Sequence, residues 1–117
     1  MSESLTLAIV GHLVGDYLLQ NDWMALNKKK SSIACAVHVA IWTACVCVCA
    51  GWTGSVLAGF VLAITHFVQD RTTIIRKWMF FIGQEQFATG PCAPWSMIVV
   101  DNVWHIVVIT VLWIALN

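Results

Sequence analysis

The run Ser32-Ile-Ala-Cys35-Ala-Val-His38-Val-Ala-Ile-Trp42-Thr-Ala-Cys45-Val-Cys47-Val-Cys49-Ala50 contains no Asp, Glu, Lys or Arg. About 20 apolar residues carry a helix across the hydrocarbon of a bilayer, so residues 32–50 read as a membrane span. Three more segments read the same way on either side of it. Residues 4–20 are shorter and interrupted by polar side chains, whereas 55–70 and 97–116 are more continuous. The 117-residue chain is 60% hydrophobic and 10% charged. Soluble domains carry about 25% charged residues, and a water-soluble bundle needs a polar face on each helix. The charges here are too few to build those faces. The expected fold is therefore all-α: a single transmembrane domain over 1–117, built as an integral membrane four-helix bundle.

The connections orient the bundle. Residues 51–54, Gly-Trp-Thr-Gly, predict a tight turn and an antiparallel hairpin of helices two and three. Residues 72–82 mix Ile74, Ile75, Trp78, Met79, Phe80 and Phe81 with Arg76 and Lys77, an interfacial amphipathic stretch between helices three and four. Gly83, Gly90, Pro91 and Pro94 interrupt the chain before the last helix. The basic residues are Lys28, Lys29, Lys30, Arg71, Arg76 and Lys77, all in the first and third connections. The positive-inside rule places those connections in the cytoplasm and both termini outside, giving a multi-pass protein of a bacterial inner membrane. Trp23, Trp78 and Trp95 then mark the cytoplasmic interface and Trp52 and Trp113 the outer one, while Trp42 and Trp104 fit no belt. Two short basic stretches make too small a surface for nucleic acid. Residues 1–6 lack the positive charge of a secretory signal, so the first segment is expected to be retained. Cys35, Cys45, Cys47, Cys49 and Cys92 show no zinc-type spacing and read as small packing residues, with a disulfide among Cys45, Cys47 and Cys49 left open. Gly11 and Gly15 form a small-residue face suited to close packing of the first helix within the bundle.

Seven polar residues interrupt the apolar segments: His12 and Asp16, then His38, then His66 and Asp70, then Asp101 and His105. Three helices thus pair His with Asp four positions apart, on one helical face. With the orientation set by Lys and Arg alone, all seven fall into one layer, one to two turns below the cytoplasmic surface. Each has a plain structural reading. A lone buried His is more often a hydrogen-bonded core residue than a ligand, and Asp70 beside Arg71 suits a simple interfacial ion pair. Seven in one layer argue for a site.

An Asp at the centre of a membrane helix costs about 2.5 to 3.5 kcal/mol on insertion scales. Three would cost on the order of 8 to 10 kcal/mol there, and less near the interface. Among the basic residues only Arg71 adjoins the layer in sequence. A divalent metal is the natural counter-charge, since His and Asp are its ordinary ligands. Three carboxylates suit two ions better than one. The expected ligands are His12, Asp16, His66, Asp70 and His105, and the expected ion is zinc, with manganese or iron as alternatives. Asp101 and His38 are the candidate catalytic groups, supplying a general base. Gln20, Gln69 and Asn102 are expected to support the ligands, and Glu85 reads as a solvated loop acid.

The stretch from His12 through Asp16, Gln20, Asp22, Trp23, Met24 and Ala25, followed by the three lysines, resembles the opening of the domain of unknown function 3307 family. That family comprises small, uncharacterised bacterial and phage integral membrane proteins. Thr65-His66-Phe-Val-Gln-Asp70 resembles its third-helix motif, and Asp101-Asn102-Val-Trp-His105 its last, with Asn where the family pattern has Gln. His38 sits at the position of the family's second-helix histidine. The resemblance covers nearly the whole chain and implies the membrane class without implying an activity. A more distant similarity, to small membrane proteins labelled metal-dependent hydrolases, is an analogy.

Three functions fit these residues. The first is a metal-dependent hydrolase acting on a lipid or another amphiphilic phosphoester, the metal lowering the pKa of a bound water. The second is ion or proton transport along the same side chains. The third is a non-catalytic bacterial or phage membrane factor. The expected partners are the lipid bilayer and an amphiphilic substrate, with an oligomer left open.

Overall fold

The computed structural model describes residues 3–117. Met1 and Ser2, part of the stretch 1–6 read for a secretory signal, lie outside the described residues. The described chain is helical: α1 (Glu3–Leu13), a π-helical turn (Val14–Leu18), α2 (Asp22–Asn27), α3 (Ser32–Ala50), α4 (Val56–Arg71), α5 (Ile74–Phe81), α6 (Glu85–Thr89) and α7 (Trp95–Leu116). The four longer helices close a ring in which α1 packs on α3, α3 on α4, α4 on α7 and α7 on α1.

Local chemistry sets the boundaries. Asn21, Ser31 and Ser55 cap α2, α3 and α4, each side chain accepting a hydrogen bond from the backbone N–H three residues on. Gly51, at φ 76°, ends α3 in the left-handed conformation. The Trp52 N–H then donates to Cys47 O at 2.8 Å, closing a Schellman motif and turning the chain into α4. At the other end of α4, the Lys29 ammonium donates to the carbonyls of Gln69, Asp70 and Thr72 at 3.1 to 3.3 Å. It thereby satisfies carbonyls that the helix terminus leaves free.

The expected elements are present, with differences at their ends. The segment 4–20 is not one α-helix, because a π turn interrupts it at Val14. The first connection, read as a polar loop, contains the short helix α2. The amphipathic stretch forms α5, with Met79 buried beneath it and Arg76 stacked over the Phe80 ring at 4.9 Å. Among the described residues, only α3 and α7 are long and apolar enough to cross a membrane by themselves. The five cysteines are free thiols, and Cys47 packs in the core.

The ring has two unlike ends. One is an apolar plug of Leu5, Ala8, Val46, Ala50, Trp52, Ala58, Leu62, Ile109 and Leu112. The other holds the buried polar residues His12, Asp16, His38, His66, Asp70 and His105. Gly11 and Gly15 let α1 approach α3 closely. A Cβ at Gly11 would lie 2.8 Å from Cys45 O, and one at Gly15 2.8 Å from Trp42 Cδ1.

Candidate metal centre

His12 closes the last turn of α1, and the chain then widens. The Leu19 N–H bonds to Val14 O, five residues back, at 3.1 Å. A π turn of this kind takes in an extra residue and re-aims the side chains within it, a device frequent at functional sites. Asp16 sits inside the turn, buried, with Oδ1 3.0 Å from His38 Nε2. His66 and Asp70 share one face at the end of α4, 3.0 Å apart, and Asp101 and His105 share one face of α7 at 3.1 Å.

Four atoms from three elements converge. His38 Nε2 lies 3.0 Å from Asp16 Oδ1, 3.1 Å from Asp70 Oδ2 and 3.1 Å from His66 Nε2. His66 Nε2 lies 3.4 Å from Asp16 Oδ1 and 3.0 Å from Asp70 Oδ2. A tetrahedral zinc site with bonds of about 2.0 to 2.1 Å has ligand-to-ligand edges of about 3.3 Å. The five edges here match that size. Hydrogen bonding alone serves the group poorly: two ring nitrogens crowd the same two carboxylate oxygens, and the outer Nδ1 atoms of His38 and His66 are buried without a hydrogen-bond partner. Two imidazoles and two carboxylates held this close fit a divalent cation at their centre.

The surroundings hold these rings in place. The Trp42 indole stacks on His66 with centroids 3.9 Å apart, and His105 stacks on His66 at the same distance. Trp42 Nε1–H donates to His12 Nδ1 at 3.0 Å. Nδ1 is the acceptor in that bond, so the 3.3 Å approach of Asp16 Oδ2 to it supplies no proton to Asp16. Gln69 Nε2–H donates to Asp101 Oδ1 at 3.2 Å. Gln20 donates to Asp16 O, and Asn102 bonds to Tyr17 and to Ile98 O.

The structure brings all seven expected residues to one end of the bundle, in unequal roles. Asp16, His66 and Asp70 meet as read, and His38 joins them in the four-atom group. His105 and Asp101 form a second group with Asp70. His12 stands beside Asp16, and its Nε2 has no partner. Two residues were missed. Trp42 fitted no interfacial belt because it is core, 1% exposed. Lys28, read as a loop charge, reaches back to place Nζ 3.1 Å from Asp70 Oδ2. Burial works against the Lys28 ammonium, but Asp70 and Asp16 outweigh it and raise its pKa above the usual lysine value. Three adjacent lysines were the available signal; which of them folds inward depends on α2. Glu85 opens α6 and lines neither of the clefts described next.

Two clefts reach the cluster. One, of about 340 Å³, touches Lys28, Lys29, Asp70, Arg76 and Asp101, with Ile75, Pro94, Met97 and Ile98 as its apolar wall. The other, of about 270 Å³, touches Asp16, Tyr17, Gln20, Lys28, Asp101 and Asn102. Asp101 and Lys28 belong to both.

No match was found among curated proteins or among solved structures. A family model described as "Protein of unknown function (DUF3307)" matches residues 4–117, essentially the whole chain, and the protein belongs to that family.

Proposed function

We propose that this chain is an integral membrane enzyme that holds a divalent ion, zinc by preference, and hydrolyses an amphiphilic phosphoester at the membrane surface. The carrying observation is the four-atom group of Asp16, His38, His66 and Asp70, buried, with five ligand-to-ligand distances of 3.0 to 3.4 Å. An ion of this class lowers the pKa of water towards neutrality. Asp70 and Asp101, which line the cleft of about 340 Å³, are positioned to bind and orient that water, with His105 3.1 Å from Asp101. Lys28 and Arg76 would attract a phosphate, and Ile75, Met97 and Ile98 would accommodate an acyl chain.

Membrane residence is supported by the arrangement of side chains. Large apolar residues stand exposed on all four ring helices, among them Leu7, Val10, Ile33, Val48, Leu57, Phe60, Val103 and Val111. Apart from Glu3 at the start of α1, the charged residues gather at one end. The π-interrupted first segment and α4 are each 16 residues long (11 + 5 and 16), a rise of about 24 Å. That is a little short of a hydrocarbon core of about 30 Å, a mismatch that local thinning accommodates. In this reading the basic connections face the cytoplasm of a bacterial inner membrane and both termini face outward. The apolar plug beyond the cluster favours hydrolysis over transport, because the polar side chains gather at one depth and the core on the far side is hydrocarbon.

The test is elemental mass spectrometry of the detergent-purified protein beside His66→Ala, paired with phosphate release from mixed phospholipid vesicles. Bound zinc, manganese or iron, lost together with turnover in the variant, is the expected result. A metal-free wild type, or full turnover in His66→Ala, overturns the reading.

A further inference from the structure

Asp70 faces two ways. Its Oδ2 belongs to the four-atom group, and its Oδ1 lies 3.6 Å from His105 Nε2. His105 Nε2 is in turn 3.1 Å from Asp101 Oδ2. Ligand atoms of Asp70, Asp101 and His105 all lie within 4.8 Å of one another. His105 is 1% exposed, and its buried Nε2 is aimed at both carboxylates, nearer to Asp101 than to Asp70. Gln69 occupies Asp101 Oδ1 and leaves Oδ2 to the group.

Resting on the metal-dependent reading above, we infer that the site holds two divalent ions bridged by the Asp70 carboxylate, and that the second, at Asp70, Asp101 and His105, is the one that meets substrate. Carboxylate-bridged pairs in hydrolases stand about 3.5 to 4 Å apart, a span that one carboxylate covers. The two positions differ as structural and catalytic sites differ. The first has four protein donors and is closed, while the second has three and keeps a position open. That opening faces the clefts, because Asp101 lines both of them.

Charge identifies the substrate class. Asp16, Asp70 and Asp101 carry three negative charges, and Lys28, the lysine in ion-pair contact with them, one positive, so the contacting groups carry a net −2. One divalent ion neutralises the cluster. Two leave it at +2, which a phosphomonoester dianion neutralises and a neutral ester does not. In the reaction the water oxygen bonds to phosphorus and the ester P–O bond breaks. One water proton passes to the leaving alkoxide, so the products are an alcohol and inorganic phosphate.

The test uses the full-length protein in detergent, reconstituted with manganese and freed of excess ion. Wild type should bind two equivalents and give the electron paramagnetic resonance spectrum of an exchange-coupled pair. Asp101→Asn, which keeps the side chain's size, and His105→Gln should each bind one equivalent with an uncoupled spectrum. Inorganic phosphate should be released from vesicles containing phosphatidic acid and not from phosphatidylcholine alone. One equivalent in wild type, unchanged in Asp101→Asn, overturns the pair while leaving a single-ion enzyme standing; none at all overturns both. Two coupled ions without phosphate release from phosphatidic acid overturn the substrate class. If either variant misfolds, wild-type stoichiometry and coupling decide the question.

Discussion

Trp42 serves the cluster twice, through its indole N–H on His12 and through its ring against His66. In Trp42→Phe an aromatic ring can still stack, but His12 Nδ1 is left buried without a donor. A stranded buried acceptor costs about 1 to 3 kcal/mol, and thermal melts in detergent should show a loss of that size; an unchanged melting temperature would show that the bond contributes nothing. Lys28 answers a different question. Its ammonium is the one cation of the chain within ion-pair distance of a cluster carboxylate among the described residues. Lys28→Met removes it and leaves the bound ion as the main counter-charge for Asp70. The fall in melting temperature on adding a strong chelator should therefore be larger in Lys28→Met than in wild type, and an equal fall counts against the charge argument.

The α1–α3 contact is the element on which the site depends most. Gly11 and Gly15 face α3 with no room for a methyl group. Their neighbours differ: Gly11 meets the backbone of Cys45 and Val46, a turn beyond Trp42 along α3, and Gly15 meets Trp42 itself. Either change to Ala overpacks the interface at about 1 to 3 kcal/mol. Only Gly15→Ala should also weaken metal binding, because the helix shift passes through Trp42 and the π turn to Asp16. Metal titrations of both variants separate the two effects, and equal affinities would mean that the π turn does not position Asp16. The turn itself was not legible from residues 4–20. A polar interruption in an apolar run fits a kinked, a π-bulged or a shortened helix equally well, and packing against α3 chooses among them.

The whole molecule sorts its chemistry by depth, with hydrocarbon at one end of the ring and seven His and Asp side chains at the other. In the membrane reading, alkaline phosphatase fused after Asn117 should be active in bacterial cells and green fluorescent protein fused there should be dark. The reverse pattern would invert the orientation, and with it the face from which substrate enters. Binding of metal to the folded state alone stabilises it by mass action. Melting temperature should therefore rise with zinc or manganese concentration in wild type and rise less in His66→Ala.

The linear chain alone specifies the helical class, the segment limits to within a few residues, the clustering of basic charge and the layer of His and Asp. These follow from hydrophobic run length, capping residues and the four-residue helical repeat, all of which act locally along the chain. The partition of that layer was decided only in the tertiary structure. It set His38 in the four-atom group, turned Asp70 towards two neighbours, left His12 to Trp42 and folded Lys28 inward. Periodicity fixes the face a side chain points from, but the atoms that meet there depend on the rotation and approach of α1, α3, α4 and α7 around their shared axis, which Gly11, Gly15 and the π turn set together.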